Sequence, residues 1–150
     1  MKIGVLDLLH SAVPAPRVSA TSLNRYFITK QFASVMPQTV SVWCRDMGHD
    51  VYYATYWGQS DPEELLPKDI QMLFISSYTQ ASGLAYALAR IFSTAGAITV
   101  LGGPHAKAFP RDSLRFFDFV VQQCDQETIK DIVNGQCDTG SIIKSAQPPK

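Results

Sequence analysis

Apolar residues along this chain come in short, compact runs separated by polar, glycine-marked breaks. KIGVLDLL (residues 2–9) is rich in branched side chains without alternation, the pattern of a strand buried on both faces. VYYATY (51–56), IQMLFISS (70–77), AITVLGG (97–103) and FDFVV (117–121) predict four more strands. Helical spacing fills the gaps. Phe32, Val35, Met36, Val40, Trp43 and Met47 share a rough helical stripe, which Pro37 starts or kinks and Gly48 closes. Asp61 followed by Pro62 predicts a short helical turn. Over residues 80–95, Leu84, Leu88, Ile91 and Phe92 lie on one face, and Gly96 ends the helix. A shorter helix is expected after Pro110, carrying Leu114, Phe116 and Phe117. Another is expected over 125–135, with Asp125 as N-cap and Gly135 as stop.

Strands alternating with helices imply βαβ units around a parallel sheet. The expectation is a doubly wound α/β domain, flavodoxin-like or Rossmann-like, with a five-stranded, mainly parallel sheet in the order 2-1-3-4-5. Residues 1–135 would form that domain, and 136–150 a polar tail or linker. Composition narrows the function. The 150 residues are 46% hydrophobic and carry 13 basic and 13 acidic side chains, so no basic stripe points to nucleic acid. No run is long enough to span a bilayer and no signal peptide stands out, which points to a cytoplasmic protein. Cys44, Cys124 and Cys137 lack metal-site spacing and read as reduced thiols, Cys44 in the core and Cys124 at a strand end.

The unusual residues cluster where strands end. In open parallel sheets, ligands bind beyond the carboxyl ends of the strands. There the chain places His10 and a long loop (10–24), then SSYTQAS (76–82), GGPHAKAFP (102–110) and QQCDQE (122–127). Gly102 and Gly103 would let a bulky flat ligand approach the backbone, and Pro104 would fix the exit direction. Ser76, Ser77, Thr79 and Ser82 would offer hydroxyl donors from a second wall. Gly102–Gly103 is equally consistent with a plain tight turn. No GxGxxG follows the first strand, no Walker loop is present, and the third strand does not end on an acidic cluster. A phosphate-binding Ser/Thr loop of flavodoxin type stays open through Ser11, Ser19, Thr21 and Ser22.

The stretch from FISSYTQASG through TVLGGPHAKAFP to FDFVVQQCDQE resembles the cobalamin-binding domain at the N-terminus of many radical S-adenosylmethionine enzymes. That resemblance covers residues 70–128 well and the first strand and RDMGHDVYYAT more loosely. It implies that a corrin ring lies over the carboxyl ends while the dimethylbenzimidazole tail enters a slot beside the third and fourth strands. Gly102 and Gly103 would give backbone access. Ser76, Ser77 and Thr79 would hydrogen-bond the tail or corrin amides, Tyr78 would cover the ring, and Pro104, Gln123 and Cys124 would complete the rim. The chain departs from related patterns. Asp7 and His10 stand as Asp-x-x-His, not the Asp-x-His-x-x-Gly of methionine-synthase-like domains, so no cobalt-ligand role passes to His10. His105 reads as a polar contact of the turn. The turn after the fifth strand lacks its glycine. No CxxxCxxC occurs, so the iron–sulfur cluster and S-adenosylmethionine would belong to a catalytic domain in cis or in trans, and this chain is not catalytic alone. The alternatives are a flavin-binding module and a degenerate domain that binds no cofactor and serves protein interaction.

Overall fold

The computed structural model describes residues 1–8, 35–58 and 61–144. The loop over 10–24 with its His10, the serines and threonine of that loop, Phe32 and the last six residues lie outside that set. Strand β1 (Lys2–Leu8) lies inside the sheet, one strand in from its edge. Helix α1 (Val35–Asp46) follows, then β2 (Asp50–Tyr56). A 3-10 turn at Pro62–Glu64, capped by the Asp61 side chain, leads to β3 (Met72–Ser76). A second 3-10 turn (Thr79–Ala81) opens into α2 (Ser82–Thr94), followed by β4 (Ile98–Gly102). Two short helices, α3 (Pro104–Ala108) and α4 (Pro110–Leu114), precede β5 (Phe119–Gln123), α5 (Gln126–Val133) and β6 (Ser141–Lys144).

All pairings are parallel, and the order is β2-β1-β3-β4-β5-β6. The α/β class, the parallel sheet and the order of the first five strands follow the reading of the sequence. The strand count does not: a sixth strand, Ser141–Lys144, extends the sheet beyond β5 from within the stretch expected to be a polar tail. Its SIIK run is too short and too near polar residues to stand out, and it becomes a strand only because the β5 edge offers its backbone partners. The helix α3 was not expected either. Pro104 supplies the preset φ of a first helical position, immediately after the glycine pair.

Side-chain alternation builds two cores, one on each face. Leu6, Leu8, Leu73, Ile75, Leu101 and Val120 meet Ala85, Leu88, Ala89 and Phe92 of α2. Ile3, Val5, Met72, Phe74, Val100, Phe119 and Val121 meet Val40 and Cys44 of α1 and Ile129, Ile132 and Val133 of α5. Gly48 (φ 89°) and Gly96 (φ 97°) close α1 and α2, in the left-handed conformation that ends helices. The chain steps from β1 outward to β2, then back across β1 to β3, so the order reverses between β1 and β3. A crevice is expected at that reversal.

Candidate functional site

The rim begins with two turns tied together. The Ser77 N–H donates to the Gly102 carbonyl (3.2 Å), and the Ser77 carbonyl accepts from the His105 N–H (3.0 Å). The Ser77 hydroxyl donates to the Tyr78 carbonyl (2.8 Å), and Ser77 is buried. Ser77 is thus a structural bridge between the ends of β3 and β4. The two glycines beside it differ in kind. Gly103 has φ 90° and ψ −174°, a region that is essentially glycine's alone. A Cβ there would stand 2.8 Å from the Ser76 hydroxyl and 3.0 Å from the Ser77 backbone N and O. A Cβ on Gly102 would meet nothing within 4 Å. Gly103 answers to the close approach of two turns, and Gly102 to open space in front of it.

That space is a cleft of about 940 Å³ between the carboxyl ends of the strands and the inner faces of α1 and α5. The volume lies at the upper end of the range for small-molecule sites. Val5, Phe74, Val100 and Val121 form the sheet wall, so residues from both sides of the β1/β3 reversal take part. Met36, Pro37 and Val40 of α1 and Ile129 of α5 face them. Ser76, Gly102, Gly103 and Pro104 border one side, and Gln122, Gln123, Cys124 and Asp125 the other, with Lys107 as the cation at the border among the described residues. The cleft therefore has apolar walls and a polar border, the general form of a small-molecule site.

The Asp125 carboxylate accepts from the Thr128 N–H and hydroxyl (2.8 Å each), capping α5. Burial, reinforced by the Asp125 charge, holds the Cys124 thiol above its usual range. Burial pushes the Cys44 thiol up to about 11. Neither is a ready thiolate nucleophile. On the same face of the sheet, Tyr53 donates to the buried Asp7 carboxylate (3.3 Å), and burial with that charge pushes the phenol up to about 12. Among the described residues, no three His, Cys, Asp or Glu side chains are grouped to hold a metal ion. No described helix is long and apolar enough to cross a membrane.

Of the residues singled out from sequence, Ser76, Gly102, Gly103, Pro104, Gln123 and Cys124 meet at the cleft; Ser77, Tyr78, Thr79, Ser82 and His105 do not line it. Tyr78 is exposed, and Ser82 opens α2 on the opposite face. His105 is 4% exposed and points away from the cleft into the α2 side, where its Nε2 lies 2.7 Å from the Tyr86 hydroxyl and its Nδ1 3.3 Å from the Thr79 hydroxyl. Burial holds its pKa below the ordinary imidazole value, with Asp112 partly offsetting. Sequence reasoning missed Met36, Pro37 and Val40 as lining residues, because their spacing reads equally well as plain core packing. It also missed Lys107, on a helix too short to carry a periodic signal. No protein-family model matches the chain, and neither curated proteins nor solved structures give a significant match to it.

Proposed function

We propose that the chain is a cobalamin-binding module that positions the corrinoid for an associated radical S-adenosylmethionine enzyme, of methyltransferase or cyclase type. The observation that carries this reading is the apolar cleft beside the ends of β3 and β4, with Gly102 opening into it. The residues fit the group. Phe74 and Val100 on the sheet wall and Met36 and Val40 on the α1 wall would hold the benzimidazole tail, with the corrin ring over the rim. When bound, cobalamin supplies a cobalt centre that carries a methyl group or an electron. The chain's own residues do simpler work. The apolar walls would exclude water from the tail, Gly102 would leave it room, and Gln123, Ser76 and Lys107 would meet its polar substituents. His105 gives no ligand to cobalt, since its ring faces the other side of the sheet with both nitrogens engaged.

Hydroxocobalamin titration followed by desalting tests the reading. The expected result is stoichiometric retained colour with a spectrum showing the benzimidazole displaced from cobalt. Gly102→Leu fills the slot without backbone strain and should abolish retention while its circular dichroism stays that of the wild type. Equal retention by that variant removes the tail from this cleft. A wild-type domain that stays colourless with cobalamin but turns yellow with flavin mononucleotide supports the flavin reading. One that takes up neither overturns both cofactor readings for the chain on its own and favours an interaction module or a site half supplied by a second domain.

A further inference from the structure

Behind the cleft wall, on the opposite face of the sheet, four side chains from four segments are hydrogen-bonded in a row. The Tyr86 hydroxyl, on α2, donates to Asp112 Oδ2 on α4 (2.8 Å). The same hydroxyl lies 2.7 Å from His105 Nε2 on α3. His105 Nδ1 lies 3.3 Å from the Thr79 hydroxyl, in the turn after β3. A phenol has one proton to give. Because Tyr86 gives it to the Asp112 carboxylate, His105 must donate to Tyr86 through a protonated Nε2. With burial holding the imidazole pKa below its ordinary value, Nδ1 is bare at neutral pH and accepts from Thr79. At neutral pH the row therefore holds a neutral imidazole in the Nε2–H tautomer, while the Ser113 hydroxyl, 3.4 Å from the same phenol oxygen, gives its own proton to the Phe109 carbonyl. The Tyr86 ring is itself fixed, stacked on Phe116 at 4.2 Å and 12°.

His105 is the residue whose backbone N–H bonds Ser77, three positions after Gly102. Holding its ring therefore holds the turn that borders the cleft. We propose that Tyr86 is a positioning residue: through His105 it fixes the Gly102–Gly103–Pro104 wall in the shape that admits the ligand. The proposal rests on the cobalamin reading for the identity of that ligand, but not for the clamp itself. Tyr86 touches no part of the cleft, and it acts only through the residues it holds.

Three measurements test it. In the wild type at neutral pH, the nitrogen-15 shifts of His105 should show a protonated Nε2 and a bare Nδ1; the opposite tautomer or an imidazolium overturns the assignment. Tyr86→Phe keeps the ring stack and removes the hydroxyl. In the ligand-free variant, amide exchange at Ser77, His105 and Lys107 should speed up about tenfold, the equivalent of one hydrogen bond, while β1 and β3 amides stay protected. Unchanged exchange at those three amides overturns the clamp. Hydroxocobalamin affinity should fall about tenfold in Tyr86→Phe. If the wild type binds cobalamin and the variant binds as tightly, the positioning role is wrong. If the wild type binds none while the exchange changes as expected, the clamp stands and the cobalamin reading fails.

Discussion

Neighbouring glycines can serve unrelated ends, and Gly102 and Gly103 separate cleanly by what a methyl group would meet. At Gly103 alanine must take a positive φ and press a Cβ against the Ser77 backbone at 3.0 Å. Gly103→Ala should therefore destabilise the domain by about 2–3 kcal/mol. At Gly102 the same change meets open space and should shift stability by no more than about 0.5 kcal/mol. Urea unfolding of both variants checks the pair, and equal losses would mean that the turn has a different backbone. The importance of a glycine pair is legible in the sequence. Its division of labour is not, because it depends on how near Ser76 and Ser77 come from a strand more than twenty residues earlier.

Elements were read best where periodicity is long. The stretch 80–95 gives α2 as Ser82–Thr94, closed at Gly96, and Asp125 caps α5 as its position before the amphipathic run implies. Short elements were read poorly. The last strand of the expected five moves from 117–121 to Phe119–Gln123, because Phe117 turns into the α2-side core while the strand runs on past an irregularity at Gln122 to Gln123, which pairs with Lys144. β6 has four residues, and nothing in SIIK distinguishes it from a loop until β5 is beside it. The α1 wall of the cleft was invisible for another reason. Spacing shows that Met36 and Val40 share a face, but not that the face opens on a cavity beyond the strand ends. At this scale Asp125→Ala removes both hydrogen bonds to Thr128 and should cost about 1 kcal/mol by urea unfolding. Because Ile129 stands one turn further along α5, the same variant should loosen the cleft wall and weaken ligand retention; retention at wild-type strength would show that α5 holds its place without the cap.

For the molecule as a whole, burial of His105 links folding to protons. Its folded pKa lies below the ordinary 6.5, so the unfolded chain binds that proton more readily. The stabilisation is complete above about 6.5 and is lost as pH falls through the lower, folded value. The urea midpoint of the wild type should thus drop between pH 7.5 and 5.5, and His105→Gln should show a smaller drop; equal drops would assign the effect to other groups. The sheet topology bears on how the molecule is made. β1 is buried on both faces, yet its parallel partners lie far along the chain: Ile3 pairs with Val51 on one side and Met72 on the other. At a synthesis rate of about 5–20 residues per second, the first strand leaves the ribosome roughly 2–10 s before either partner exists. During that interval a run of isoleucine, valine and leucine has no sheet to join, which makes the nascent chain a client for whatever shields apolar segments at the exit tunnel.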